Sequence, residues 1–217
     1  MKKITITLIF ALFGLFFSCE KEQVPKTSEM KGKEHKKVIY QVFTRLFGND
    51  NRTNKPWGTV DENGIGKFND FTDKALSEIR DLGVTHVWYT GVLHHAMIAD
   101  YTKYGISNDD PDVVKGRAGS PYAVKDYYSV DPDLAVDPSK RMEEFQALIE
   151  RTHQQEMKVI IDIVPNHIAR KYEGLNNPEG VVDFGANDNN SVEYHRDNNF
   201  YYIIGESFRI PNWKNNY

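Results

Sequence analysis

This 217-residue chain predicts an α/β fold built on parallel strands, and three observations carry the prediction. Lys158-Val159-Ile160-Ile161-Asp162-Ile163-Val164 is a near-continuous Val/Ile run, the pattern of a parallel strand covered on both faces. An amphipathic stretch from Thr72 to Leu82 lies between two short apolar runs, and a helix between two apolar strands makes a β-α-β unit. A second amphipathic stretch starting at Asp137-Pro138 precedes the 158–164 run, which extends the order to β-α-β-α-β.

The first strand is expected at about 37–47, followed by a loop whose composition is polar and Asn-rich (48–56). Thr72 is placed to cap the first long helix, with Phe71 and Leu76 as a hydrophobic staple across the cap. Leu76, Ile79 and Leu82 form its apolar stripe and Gly83 is the stop. Residues 84–89, Val-Thr-His-Val-Trp-Tyr, supply the second strand. The stretch 90–136 reads as one long connection, and loops of that size in compact domains tend to be functional. Asp137 with Pro138 at the first helical position opens the next helix, with Met142, Phe145, Leu148 and Ile149 as its buried stripe. Beyond His167 the chain is rich in Asn, Gly and Asp, carries aromatic clusters such as Phe200-Tyr201-Tyr202, and shows neither a regular period nor an internal repeat.

The 158–164 strand ends in polar residues, Asp162 within it and Pro165-Asn166-His167 just past it. Burying a carboxylate there is costly without a partner. The C-terminal ends of barrel strands are where such folds build their sites. The segment therefore reads as a floor strand that delivers polar groups to a pocket.

Asp162-Ile163-Val164-Pro165-Asn166-His167 resembles the first conserved region of the alpha-amylase family, glycoside hydrolase family 13. Upstream, the run from Ser120-Pro121-Tyr122 through Asp131-Pro132 is similar to the family's segment after the second barrel strand. Val38-Ile39-Tyr40-Gln41-Val42-Phe43 is similar to its first strand. The resemblance covers roughly residues 37–217. It implies the N-terminal part of a (β/α)8 TIM barrel, with about three strands and two helices, plus the start of a domain inserted after strand three. The expected division is 1–18 signal peptide, 19–36 lipid-anchored tether, 37–167 first part of the barrel, and 168–217 start of the inserted domain.

The chemistry implied is that of a glycosidase acting on α-glucosidic bonds of starch or maltodextrin. Retaining glycoside hydrolysis uses two carboxyl groups about 5–5.5 Å apart, one the nucleophile and one the acid/base. In the family these follow strands four and five, with a further essential Asp after strand seven. None of those strands is in this chain, so no catalytic residue is assigned and the chain alone is expected to be inactive. A closed barrel usually takes about 250 residues, so a chain ending at Tyr217 is expected to be an N-terminal fragment or a truncated gene product. A non-catalytic, amylase-like sugar-binding lipoprotein is the alternative, and the sequence does not separate hydrolase from transglycosylase.

The resemblance also assigns contacts. His167 is the substrate contact at the cleavage point, its imidazole donating to a sugar hydroxyl; the plain alternative is a histidine satisfied by nearby backbone. Tyr122 is the ring that stacks on the C–H-rich face of a sugar, against the alternative of a packing tyrosine in a chain with 12 of them. Ser120 stands where relatives often carry a His, which removes one sugar contact. Asp162 is a supporting residue expected to be buried with a cationic or multi-donor partner. Asn166 offers a neutral oxygen to a structural calcium, or else bonds to its own loop. Asp61-Glu62-Asn63-Gly64-Ile65-Gly66 is read as a solvated turn rather than a calcium loop. The pair His94-His95 is read as no metal site, because neighbours on an extended segment point apart and no acidic partner sits at ligand spacing.

At the N-terminus, Lys2 and Lys3 precede an apolar run from Ile4 to Phe17, too short to span a bilayer and typical of a signal peptide. Leu15-Phe16-Phe17-Ser18-Cys19 is similar to a lipobox, which implies a lipid anchor on Cys19 and a bacterial envelope location: outer-membrane or surface lipoprotein, otherwise periplasmic or secreted. Cys19 is the only cysteine, so no intrachain disulfide forms. Residues 20–36 are charged, contain Pro, Ser and Thr, and read as a flexible tether. The net charge of −4 and the lack of a basic stripe give no nucleic-acid footprint, so the expected partners are an α-glucan or maltooligosaccharide and, through the anchor, a membrane.

Overall fold

In a computed structural model, which describes residues 36–207, three parallel strands line up in the order β1-β2-β5. They are β1 (Ile39–Phe43), β2 (His86–Thr90) and β5 (Lys158–Ile161). The register sets Tyr40 beside Val87 and Val159, and Gln41 beside Trp88 and Ile160. Side chains alternate across a strand, so Tyr40, Val42, Val87, Tyr89 and Val159 share one face. That face carries the core.

Helices α2 (Asp73–Asp81) and α3 (Arg141–Gln154) pack there. Phe71 stacks on Phe47 at 4.0 Å and meets the Tyr89 ring edge-on at 5.0 Å; Phe68 meets Phe145 at 5.4 Å. Tyr89 is fully buried, and its hydroxyl hydrogen-bonds Thr152 Oγ1 at 2.7 Å. Burial pushes the Tyr89 phenol up to about 12, so it stays neutral. Truncating a side chain such as Leu148, fully buried under this sheet, costs about 2–5 kcal/mol in comparable cores.

The helix signals act as expected. Thr72 Oγ1 accepts the Ala75 N–H and caps α2, and Leu76 and Ile79 are buried. Leu82 departs from the expected stripe: it follows the last helical residue and is 73% exposed, and Gly83 makes the stop at φ +81°. Asp137 accepts the Ser139 N–H and opens a 3-10 turn at Pro138–Lys140 that leads into α3. Phe145 and Leu148 are buried there, with Met142 and Ile149 half-buried beside them. The 61–66 segment is not a plain turn: residues Val60–Asn63 form α1, a short helix closed by a capping box between Thr59 and Glu62.

Two strand expectations are corrected. β5 stops at Ile161 rather than 164, and it is not fully covered: Ile161 is exposed at the strand's end, and Ile160, on the face opposite the core, is only half-buried. The helices cover one face only, and β5 is an edge strand among the described residues. The second face of a barrel strand is buried by strands across the interior, and none of those is present among the described residues.

The 90–136 connection is likewise not a plain loop. It contains β3 (Leu93–His95) and β4 (Val124–Val130), paired antiparallel with register shifts on both sides of His94. From 162 to 207 the chain forms turns and no helix or strand.

Candidate functional site

The C-terminal ends of the parallel strands gather the polar residues. Asp162, just past β5, accepts the indole N–H of Trp88 at 3.3 Å and the Gly91 N–H at 3.4 Å. These bonds tie the end of β5 to the end of β2. The expected multi-donor partnership is present, but the donors are neutral and Asp162 is half-buried rather than buried. The open second face of the sheet accounts for that exposure.

Gly91 needs its missing side chain. Its φ is +77°, and a Cβ there would sit 2.7 Å from the Phe43 ring and 3.2 Å from Pro121. The Tyr122 loop is thereby seated over the ends of β1 and β2. Gly119 makes a closer approach, since a Cβ would fall 1.8 Å from the Ala96 carbonyl oxygen. Tyr122 itself is 55% exposed, and its backbone N–H donates to Ser120 Oγ at 3.3 Å. Its ring is presented to solvent rather than packed.

Past β5 the chain is pinned on both sides of the exposed pair Asn166-His167. The Tyr127 hydroxyl donates to the Val164 carbonyl, and Ala169 N–H donates to Val124 O at 2.7 Å. Glu173 N–H and Leu175 N–H add bonds to Lys125 O at 2.9 Å and Asp126 Oδ2 at 3.0 Å. The segment therefore runs along β4. Asn166 Nδ2 lies 3.1 Å from His167 Nδ1, so Asn166 orients the imidazole, and Nε2 is the atom left to meet a ligand. No hydrogen bond joins Tyr122 to His167 among the described residues; what they share is the end of the sheet.

Calcium asks for six to eight oxygen ligands. Asn166 brings one side-chain oxygen, and among the described residues no three His, Cys, Asp or Glu side chains group as a metal site. One Asn oxygen therefore leaves most of a calcium's coordination to other groups.

Sequence reasoning did not find the buried polar support under this surface. His94 and His95 are both buried, and β3 curls so that His95 Nδ1 lies 3.6 Å from Asp131 Oδ2, an acidic neighbour distant in sequence. His95 Nε2 lies 2.9 Å from the Ala118 carbonyl, to which it donates in that tautomer. Arg45, just past β1, reaches Asp133 at 3.3 Å, Asp131 at 4.0 Å and the Ala118 carbonyl at 3.2 Å. Burial is the main cause that pushes the Asp131 carboxyl up to about 6. His94 is pushed down to about 3, first by burial and then by Lys125 nearby, so it is a neutral imidazole. Lys125 is itself buried and paired with Asp109 at 3.0 Å. The Asp131-Pro132-Asp133 turn, with a proline at a helix start, was the one sequence signal for this network.

The family profile described as "Alpha amylase, catalytic domain" matches residues 41–216. The chain belongs to the alpha-amylase catalytic-domain family. Among its relatives, the trehalose-6-phosphate hydrolase of Bacillus subtilis is 26% identical over 148 residues, 68% of this chain and 20% of that protein. Pullulanase A of Streptococcus pneumoniae is 31% identical over 149 residues, 61% of this chain and 10% of that protein. A crystal structure of an alpha-amylase from Lactobacillus plantarum is 28% identical and covers 62% of this chain and 24% of its own, with a TM-score of 0.42. The chain thus spans a fifth or less of the length of these two curated relatives. As a member of this family it carries the predicted α/β class, and its β-α-β-α-β order matches the opening three strands of the predicted barrel.

Proposed function

We propose that this chain forms the N-terminal glucan-contacting wall of a retaining glycoside hydrolase that cleaves α-glucosidic bonds of starch or maltodextrin. The observation that carries the reading is the Asp162-to-His167 segment at the end of a parallel strand, in a chain matched to the family over residues 41–216. His167 Nε2 donates to a hydroxyl of the sugar at the cleavage point, and the Tyr122 ring stacks on a neighbouring sugar. Asp162 positions rather than reacts, since its oxygen holds Trp88 and Gly91. The nucleophile and the acid/base come from strands outside this sequence, so the chain binds without cleaving.

The relatives named trehalose-6-phosphate hydrolase and pullulanase support a glucosidic substrate and leave its linkage open. The envelope location belongs to the same proposal: a lipid on Cys19 would hold the domain at a membrane surface. Its signal and lipobox lie outside the described residues. Among those described, no helix is long and apolar enough to cross a membrane.

The test is calorimetric titration of the purified chain with maltoheptaose, alongside a reducing-sugar assay on the same sample. Weak binding that Tyr122→Ala and His167→Ala each reduce about tenfold, the loss of ~1.4 kcal/mol, with no sugar released, is the expected result. Binding indifferent to both substitutions would refute the wall, and release of reducing sugar would refute the division of labour.

A further inference from the structure

One backbone carbonyl at the base of the Tyr122 loop is held by two side chains that both face the same buried carboxyl. Ala118 O lies 2.9 Å from His95 Nε2 and 3.2 Å from Arg45 Nη1. His95 Nδ1 lies 3.6 Å from Asp131 Oδ2, and Arg45 Nη1 lies 4.0 Å from that oxygen. Asp131 is wholly buried. Its Oδ1 accepts the Asp133 N–H at 2.9 Å, whereas Oδ2 has no hydrogen-bond partner among the described residues. Ala118 opens the loop that carries Tyr122, and Ala123 closes it by accepting the Ala96 N–H at 3.0 Å.

The His95 ring has an acceptor at each nitrogen: the Leu93 carbonyl 3.2 Å from Nδ1, on the side of Asp131, and Ala118 O at Nε2. Suppose the Asp131–His95 pair holds one proton beyond the imidazole's own. If that proton rests on Nδ1, both nitrogens donate. If it rests on the carboxyl, the single ring hydrogen goes to the shorter contact, Ala118. Either way Nε2 grips the loop. Once the proton leaves, a buried carboxylate beside Nδ1 draws the ring hydrogen to that side. Nε2 then turns its lone pair on the Ala118 oxygen, and two acceptors at that distance repel.

We propose that Asp131 and His95 are positioning residues that latch the Tyr122 loop through the Ala118 carbonyl, closed while the pair holds its extra proton and released when that proton is lost. The latch rests on the glucan reading above only for what Tyr122 meets. The other charged or titratable groups facing the pair are Arg45, Asp133, Tyr101, whose hydroxyl donates to Asp133 at 2.5 Å, and His94, the neighbour on β3. Lys67 donates to the backbone of the same turn, at Asp133 O and Ala135 O. Burial, the largest influence on Asp131, raises its pKa to about 6. A raised carboxyl keeps its proton below that value and gives it up as pH rises. The Tyr122 ring is therefore best presented in mild acid.

The test is ring-nitrogen NMR of the isotope-labelled full chain between about pH 4.5 and about pH 8, with maltoheptaose titrated by calorimetry at the same pH values. The His95 Nε2 hydrogen present at the acid end should move to Nδ1 at the alkaline end, and the Tyr122 amide resonance should shift with the same midpoint. Maltoheptaose affinity should fall about threefold or more over that range, as the latched fraction of the loop falls. In Asp131→Asn the side-chain carbonyl takes the Asp133 N–H and the NH2 group faces Nδ1 as a donor, which fixes the ring hydrogen on Nε2 at every pH. This variant should keep the acid tautomer and lose the pH-dependent fall, whereas removal of a merely structural residue would weaken binding at every pH. The native tautomer needs no substitution, so a variant that misfolds leaves the test intact. A native tautomer that does not change, a Tyr122 amide that does not follow it, or parallel affinity profiles for native chain and variant would each overturn the latch. Coupled tautomer and amide changes without maltoheptaose binding at any pH would uphold the latch and remove only the glucan reading.

Discussion

Asp131 shows how one residue's environment sets its chemistry. Its carboxyl is wholly buried, faced by Arg45, His95 and Asp133, and one of its oxygens has no hydrogen-bond partner among the described residues. Burial dominates and raises its pKa from 3.8 to about 6. A carboxyl raised in the folded state contributes stability below its unfolded pKa and loses it as pH rises through the folded value. Asp131→Asn abolishes that titration. Measured by urea unfolding, the stability of the native chain relative to this variant should therefore fall between about pH 4 and pH 7. Parallel pH profiles for the two proteins would show that Asp131 is not the titrating group. His94 runs the opposite way: its lowered pKa makes it a liability as pH drops below its ordinary range. No local pattern announces either behaviour, because Arg45 and His95 lie dozens of residues from Asp131, as Lys125 does from His94.

At the scale of the element, the helices were legible because their signals are local. The Thr72 cap, the Leu76 and Ile79 stripe and the Asp137-Pro138 start each act within a turn or two of themselves. Thr72→Ala should cost about 1 kcal/mol, read as a lower urea midpoint with an unchanged denaturant slope. A loss near zero would mean that the Phe71–Leu76 contact holds the helix start by itself. The strands were less legible. β5 announces itself by its Val/Ile run, but β3 and β4 pair across a long excursion with bulges, and β4 mixes Lys125, Asp126 and Tyr127 into its sequence. A strand whose charged residues are buried against another loop breaks the alternation by which strands are recognised.

For the whole molecule, the decisive fact is that one face of the three-stranded sheet is covered and the other open. Val87 and Tyr89 sit under α2 and α3, whereas Ile39 and Gln41 face outward. β2 is hydrogen-bonded on both sides and β5 on one. Amide exchange should accordingly be slowest at Val87 and Tyr89. At Val159 and Ile161, which alternate with the Lys158 N–H bonded to Thr85 O, it should approach the rate of an unfolded peptide. Strong protection at those two amides would reveal a partner strand, from another copy or another segment, added to the β5 edge.

The sequence by itself determined the α/β class, the β-α-β-α-β order, the two long helices and the polar end of β5 with Asp162, Asn166 and His167. Each of these rests on periodicity, capping or a contiguous motif, all of which act over a few residues. Only the tertiary structure decided that Asp162 holds Trp88 and Gly91, that Gly91 seats Tyr122 over the strand ends, and that Arg45, His95, Asp131 and Asp133 form one buried network. Those contacts join segments roughly 30 to 90 residues apart, and a burial or a charge that comes from a distant segment leaves no mark on the local pattern of either.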